Sequence, residues 1–355
     1  MTQTFLWVRA TLTLLISLLA LTASRSSEAA QASLTLDAII QGAKKEAKVA
    51  WASNLVEEEV TSLNKAFQAE FPFIKNVEYA RLRGTEEAEK LLSEMQAGIF
   101  PYDMVHVGED LTDRYEKLGF LVPGVDWQGL FGVDARMVHP KRFAIAVGNS
   151  LLGIMYHKAK VPKEYIPKTW NDCVNPFFRD KMATEVRPSP HFNELWSDKG
   201  EEWTLDFAKK IAANRPKWSS SATAALTMIV AGETLLFCPT SYGTWYRQAS
   251  RKPNFPVGFV FPEGPILGSR GLLLSPLKGA GSPNAAILLT GWIATKGLPI
   301  LDTGRESVFH PGTKLGAEFK KTDREIKVMN WAEVAESDKR AKRVIEVWGF
   351  PKSDK

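Results

Sequence analysis

The architecture can be predicted from the stretch that begins with KVAWA at positions 48–52. These residues are mostly apolar and form a short β-strand candidate. Val60, Leu63, Phe67 and Phe71 follow at spacings of three and four residues, which is typical of a helix with one buried face. A strand followed at once by an amphipathic helix is the unit from which α/β proteins are built.

The same unit repeats directly downstream. VEYA at 77–80 is a second strand candidate, the apolar positions from Ala88 to Met95 form a helical stripe, and DMVHV at 103–107 is a third strand candidate. After the middle of the chain, strand candidates at 182–186 and 235–238 alternate with helical stripes at 203–211 and 226–230. These repeats favour mainly parallel sheets covered by helices.

Two extended crossings separate the two series. FAIAV at 143–147 and GIMY at 153–156 flank the flexible residues around Gly148, and PEGP at 262–265 leads into GLLLS at 271–275. We therefore predict an α/β fold of two doubly wound α/β lobes joined by hinge strands, with hinges near Gly148 and Gly264. Lobe 1 comprises residues 33–147 and 265–312, and lobe 2 comprises residues 148–264 and 313–355.

One helix start has a clear signal. SPN at 282–284 places a hydroxyl before a proline, and these residue types favour the cap and the first position of a helix. We expect a helix from Pro283, capped by the side chain of Ser282.

The first 32 residues differ from the rest. Arg9 precedes an apolar run at 11–21, and AQA at 30–32 supplies small residues, the pattern of a secretory signal peptide cleaved near Ala32. The run is shorter than the roughly 20 residues that cross a bilayer. No cysteine follows the run where a lipid anchor would be attached. We expect an exported, periplasmic, soluble monomer.

The distribution of charge argues against a nucleic-acid partner. The 355 residues carry a formal net charge of +5, but Lys and Arg are interspersed with Asp and Glu, so we expect no nucleic-acid partner.

Cys173 and Cys238 are the only two cysteines. We favour two buried free thiols, with a disulfide in an oxidising compartment as the alternative.

Five segments are informative together: WASN at 51–54, residues 91–98 with PYDMV at 101–105, PKTWND at 167–172, VAGE at 230–233 and GSPNAA at 281–286. Together they resemble a known family, the type II periplasmic solute-binding proteins of ABC importers, in particular the branch of the ferric-ion-binding proteins. The resemblance implies two α/β lobes, a ligand in the cleft between them, closure by hinge motion, and a permease in the inner membrane as partner.

Polar and cationic residues follow the predicted strands, where helix N-termini favour anionic oxygens. Plain helix capping is the alternative for the serines, and surface pairing is the alternative for Arg81 and Arg83. The resemblance implies that Ser189, Ser220 and Ser241 occupy places that hold an anion. The predicted ligand-binding set is Ser53, Asn54, Arg81, Arg83, Gly84, Thr85, Arg187, Ser189, Ser220, Ser221, Ser241, Tyr242 and Arg270.

The nature of the ligand depends mainly on Tyr242. Ferric-binding relatives place two adjacent tyrosines here, whereas Gly243 follows Tyr242 in this chain. Tyr246 could share a helix face with Tyr242, and His106 is expected to pack within its strand. Because the candidate set is rich in arginine, we expect a small organic anion of the carboxylate, phosphate or phosphonate type. Ferric iron bound by Tyr242 and Tyr246 is the alternative.

No enzyme signature is present in the sequence. It contains no GxSxG, HExxH, P-loop or CxxC motif. His139, His157, His191 and His310 stand alone in the sequence. We therefore expect a binding protein without a cofactor, and not an enzyme.

Overall fold

The computed structural model describes residues 34–82, 85–188 and 191–349. The predicted signal peptide lies outside these residues. The described strands are β1 (Lys48–Ser53), β2 (Asn76–Arg81), β3 (Met104–Val107), β4 (Ile145–His157), β5 (Met182–Glu185), β6 (Lys217–Ser219), β7 (Leu236–Ser241), β8 (Val257–Val260), β9 (Ile266–Pro276) and β10 (Ile326–Val328).

Helices alternate with these strands, and several short 3₁₀ turns connect them. The described helices are α1 (Leu36–Glu46), α2 (Glu57–Glu70), α3 (Thr85–Gln96), α4 (Glu109–Lys117), α5 (Trp127–Phe131), α6 (His191–Lys199), α7 (Glu201–Ala213), α8 (Ala222–Ala231), α9 (Tyr242–Ala249), α10 (Pro283–Trp292), α11 (Lys314–Phe319), α12 (Trp331–Val334) and α13 (Ser337–Trp348). None of the helices in the described ranges is both long and apolar enough to cross a bilayer.

The strands form one continuous sheet with two parallel ends. The order is β2-β1-β3-β9-β4-β7-β5-β6, with β10 beside β9 and β8 beside β4. Strands β2, β1 and β3 are parallel, as are β7, β5 and β6. Strands β4 and β9 are antiparallel to each other and lie between the two parallel groups. The predicted fold class is confirmed.

The first parallel group has its own core. The helix predicted from its apolar spacing is α2, and Val60, Leu63 and Phe67 are buried against Trp51 of β1. Phe71 follows the last residue of α2 and closes the helix, because its backbone N–H donates to the carbonyl oxygen of Phe67. Apolar periodicity therefore located this helix to within a residue at its C-terminal end.

The second parallel group is built around a separate core, and it contains the two cysteines. Phe178, Phe207 and Ile211 are buried there. Cys173 and Cys238 are joined by a disulfide, with their Cα atoms 6.3 Å apart. The prediction of two free thiols is therefore wrong. The chain brings residues 65 positions apart to within the Cα range that a disulfide requires, a proximity that sequence spacing does not reveal.

Strands β4 and β9 connect the two groups. The first part of β4 pairs with β9, from Ile145 opposite Leu274 to Leu151 opposite Gly268, and its last part pairs with β7 and β8. The end of β9 pairs with β3, and its beginning pairs with β10. The lobe boundaries near Gly148 and Gly264 stay a prediction.

Helix α10 begins at Pro283 as expected, but its cap differs from the prediction. The side chain of Ser282 makes no capping hydrogen bond. The carboxylate of Glu46 instead accepts hydrogen bonds from the backbone N–H groups of Asn284, at 3.1 Å, and Ala285, at 2.7 Å. A carboxylate also offsets the partial positive charge of a helix start better than a hydroxyl does. A residue 238 positions upstream of Asn284 therefore caps this helix.

Candidate ligand-binding cleft

A cavity of about 520 Å³ lies where the crossing strands meet the loops after β1, β3 and β5. This volume is within the range of small-molecule sites, roughly 300–1,000 Å³. Open α/β sheets bind ligands beyond the carboxyl ends of their strands, which is the position observed here. The cavity is lined by Asn54, His106, Gly108, Ser150, Arg187, Pro188, Ser269, Arg270, Gly271, Leu272, Leu273, Arg305, Met329, Val334, Ser337, Asp338, Ala341 and Ile345.

Arg305 lines the cavity although it follows no predicted strand. Its backbone carbonyl oxygen accepts a hydrogen bond from Asn149 of β4 at 2.9 Å. Its side chain passes over Gly243 at the start of α9, because a Cβ atom on Gly243 would lie 2.3 Å from Cγ of Arg305. Its Nη2 atom approaches β9, since it lies 3.9 Å from the place that a Cβ atom on Gly271 would take. The side chain therefore bridges α9 and β9.

The electrostatic environment of Arg305 favours an anionic ligand. Burial lowers the pKa of its guanidinium, and the nearby cation Arg247 lowers it further, whereas Glu59 and Glu306 oppose the shift. Among the described residues, no carboxylate forms an ion pair with Arg305. A guanidinium removed from water without a paired acid is stabilised by an anion that enters the cavity.

Arg187 provides a second cation in the lining of the cavity. It follows β5, its side chain is exposed, and it has no ion-pair partner in the described part of the chain. Its acidic neighbour is Glu185. Burial raises the pKa of Glu185, and the charge of Arg187 partly offsets that shift. Arg187 was predicted from its place after a strand, and the structure places it in the cavity wall.

Arg270 also lines the cavity, but other groups hold its guanidinium. Nη1 donates a hydrogen bond to the backbone carbonyl oxygen of Met329. The guanidinium carbon lies 4.6 Å from the centre of the Trp331 ring, a cation–π distance. Asp338 at the start of α13 is the single acidic residue among the described residues that line this cavity. Arg270 therefore contributes mainly positive potential.

Several predicted residues lie elsewhere. Ser53 is fully buried, and its hydroxyl accepts a hydrogen bond from the backbone N–H of Leu55 at 3.0 Å. Arg81 is exposed at the end of the edge strand β2, outside the cavity lining. Thr85 is the first residue of α3. Arg83, Gly84 and Ser189 lie outside the described residues.

The predicted serines of the second half that the structure describes lie at or next to helix starts. Ser221 caps α8, with its hydroxyl 3.2 Å from the backbone nitrogen of Ala224. The hydroxyl groups of Ser241 and Thr244 are 2.8 Å apart, and Ser220 is exposed. A smaller cavity of about 240 Å³ lies beside these starts, lined by Val56, Glu59, Thr223, Leu226, Thr244, Arg247, Gln248 and Arg251. None of the three predicted serines lines either cavity.

The two tyrosines of the iron alternative lie outside both cavities. Tyr242 is 6% exposed and packs against Phe259 and Phe261, and burial raises the pKa of its phenol. The Tyr246 hydroxyl donates a 2.7 Å hydrogen bond to Asp302, and burial together with this bond raises its pKa. Within the described ranges, no three His, Cys, Asp or Glu residues are grouped to hold a metal ion.

His106 was expected to pack within its strand. It is a residue of β3 and is 8% exposed, but its side chain also lines the larger cavity. Burial lowers the pKa of its imidazole to about 3, and the charge of Arg305 contributes to the shift. Sequence patterns did not assign His106 or Arg305 to the site, because neither follows a predicted strand, and they also missed Ser150, Ser269, Ser337 and Asp338 of the same lining.

No family model matches the chain, and no curated protein matches it. Solved structures do match. Iron-bound HitA from Pseudomonas aeruginosa is 15% identical, with a TM-score of 0.65, over 84% of this chain and 99% of that protein. The substrate-binding protein of an ABC transporter from Agrobacterium tumefaciens is 18% identical, with a TM-score of 0.66, over 85% and 93% of the two chains.

A third match is the Trichodesmium protein IdiA (FutA) in complex with iron and citrate. It is 18% identical, with a TM-score of 0.67, over 84% of this chain and 99% of that protein. At such identities the shared feature is the fold, which extends over most of both chains in each comparison. The predicted resemblance is thereby confirmed. The chain has the fold of the periplasmic substrate-binding proteins of ABC transporters, a fold that the ferric-binding proteins share.

Proposed function

We propose that this chain is an exported substrate-binding protein of an ABC importer, and that it captures a small organic anion in the 520 Å³ cavity. The observation that carries the proposal is the pair Arg187 and Arg305. Both guanidinium groups line the cavity, and neither has an ion-pair partner among the described residues. Hydrogen bonds from a charged donor contribute about 1.5–3 kcal/mol each.

The remaining parts of the proposal concern capture and delivery. The ligand contacts Asn54, Arg187 and Arg305, while Arg270 adds positive potential. The two halves close on the ligand by motion about β4 and β9, as expected for this fold. The protein acts in the periplasm as a monomer without a cofactor and delivers the ligand to a permease in the inner membrane. It catalyses no reaction.

Ferric iron is the second candidate, because the compared proteins include iron-bound HitA and the Trichodesmium protein with iron and citrate. Direct phenolate binding would require Tyr242 to leave its aromatic cluster and Tyr246 to leave Asp302. The cations around the cavity repel a bare ferric ion but suit a negatively charged ferric chelate. The iron candidate that best matches these residues is therefore iron carried by an organic acid.

The test is a thermal-shift screen with organic acids, ferric chloride and ferric citrate, followed by calorimetry. Arg187→Gln and Arg305→Gln should each weaken binding of the selected acid at least about tenfold. Arg179→Gln is the control, because Arg179 is exposed and lies outside both cavity linings. Equal affinities in all four proteins would contradict the proposal. A phenolate-to-iron absorption band that Tyr242→Phe removes would establish direct iron binding instead.

A further inference from the structure

His106 occupies an apolar strand although its side chain is polar. Its neighbours Met104 and Val105 are fully buried and pack in the cores on the two faces of the sheet. The imidazole Nδ1 atom has no hydrogen-bond partner among the described residues, and the side chain lines the ligand cavity. An unpaired buried nitrogen is unfavourable, so packing alone does not account for a histidine at this position.

The imidazole is uncharged in this environment. Burial and the nearby Arg305 cation both oppose its protonation and lower its pKa to about 3. A neutral imidazole offers one N–H donor and one nitrogen acceptor. His106 therefore supplies hydrogen bonding to the cavity without adding charge, in contrast to Arg187 and Arg305.

Other uncharged polar groups accompany His106. Asn54, Ser150 and Ser269 also line the cavity, and Ser150 and Ser269 lie on the crossing strands. Besides Arg270 and Asp338, the wall thus combines two cations that have no ion-pair partner in the described part of the chain with several neutral hydrogen-bonding side chains. A ligand that satisfies both kinds of group carries at least one anionic group and at least one uncharged polar group.

The geometry points to a hydroxycarboxylate as the ligand, with His106 forming a hydrogen bond to its hydroxyl group. This inference rests on the proposed capture of an organic anion. A carboxylate without a hydroxyl group would leave the imidazole unpaired in the closed cavity. Sites built to hydrogen-bond a hydroxyl group reject analogues that lack it, because their own polar groups then stay unsatisfied.

Calorimetry with matched acid pairs tests the inference on the purified exported chain. The pairs are malate with succinate, citrate with tricarballylate, and lactate with propionate, which differ within each pair by one hydroxyl group. The unmodified protein should prefer the hydroxylated member of the pair it binds by about tenfold or more. His106→Phe should bring that ratio close to one, and His106→Gln should retain part of it.

The outcomes separate this inference from the proposed function. If the unmodified protein binds both members of a pair equally, His106 does not recognise a hydroxyl group, while the capture of organic anions stands. If none of the six acids binds while another organic acid of the thermal-shift screen does, this inference fails and the capture of organic anions stands. If His106→Phe retains the full preference, another residue recognises the hydroxyl group and the assignment to His106 is wrong. Should His106→Phe not fold, His106→Gln and the unmodified protein still decide between these results.

Discussion

The backbone N–H of Asn149 donates a hydrogen bond of 2.9 Å to the carbonyl oxygen of Arg305. This bond attaches the segment that carries a candidate ligand cation to β4, one of the two crossing strands. The side chain of Asn149 extends the connection: its Nδ2 atom donates to Ser269 of β9, at 3.3 Å, and its Oδ1 atom accepts from Val308, at 3.0 Å. Through Asn149, the segment of Arg305 is therefore attached to both crossing strands, β4 and β9, which connect the two parallel groups of strands.

Replacement of Asn149 should destabilise the protein. Asn149→Ala removes both side-chain hydrogen bonds and leaves the Ser269 carbonyl oxygen and the Val308 N–H unpaired at a position that is 2% exposed. We expect a loss of about 2 kcal/mol or more in the free energy of unfolding, measured by urea denaturation. Asn76→Ala is the matched control, because within the described ranges the Asn76 side chain bonds only the exposed Glu78. A loss no larger than that of the control would contradict the role assigned to Asn149.

Gly243 provides the space that the Arg305 side chain uses. The Cβ atom of Gly243→Ala would lie 2.3 Å from Cγ of Arg305 and 3.2 Å from the carbonyl oxygen of Gly304, so the arginine must move. We expect weaker binding of the selected acid by roughly tenfold, measured by calorimetry, because a displaced guanidinium loses a charge-assisted bond. Gly281→Ala is the control, since nothing lies within 4 Å of its added Cβ atom. Unchanged affinity in Gly243→Ala would show that the Arg305 position is not needed for binding.

The disulfide should contribute strongly to stability. Cys173 and Cys238 are 65 positions apart. A cross-link that closes a loop of that length lowers the conformational entropy of the unfolded chain, and in the entropic model this stabilises the folded protein by about 4 kcal/mol. The double variant Cys173→Ala with Cys238→Ala should unfold at a correspondingly lower urea concentration. A reducing agent should destabilise the unmodified protein and leave the double variant unchanged. Two titratable thiols in the native, unreduced protein would contradict the disulfide.

Stability should decrease as the pH falls below about 6.5, because two histidines are held neutral. Burial lowers the imidazole pKa of His106 to about 3 and that of His191 to about 4. Between pH 6.5 and about 4, the unfolded chain binds protons that the folded chain does not, so acidification favours unfolding by about 1.4 kcal/mol per pH unit for each histidine. The effect should be absent above pH 7.5.

The comparison with His106→Phe isolates one of these histidines. In urea denaturation at several pH values, the free energy of unfolding of the variant should change less steeply with pH between pH 6 and pH 4.5. The difference in slope should correspond to one proton, or about 1.4 kcal/mol per pH unit. Carboxyl groups titrate in the same way in both proteins, so they cancel in the difference. Parallel stability profiles for the variant and the unmodified protein would mean that His106 is protonated in the folded state.

Local patterns in the sequence determined the elements of this fold. Val60, Leu63 and Phe67 predicted α2 because a helix must bury one face, and short apolar runs such as KVAWA at 48–52 predicted strands because both faces of a parallel sheet are covered. The place of Arg187 after β5 also followed from the chain, since the residues after parallel strands lie at the ligand-binding edge of the sheet.

Only the tertiary structure decided which distant residues meet. The cap of α10 by Glu46, the disulfide between Cys173 and Cys238, and the approach of Arg305 to Gly243 each join segments that no local pattern relates. The same holds for His106, whose strand position was predicted but whose place in the cavity wall was not. Periodicity reports how one segment is buried, whereas a binding cavity depends on the relative placement of several segments, which is set by the packing of the whole chain.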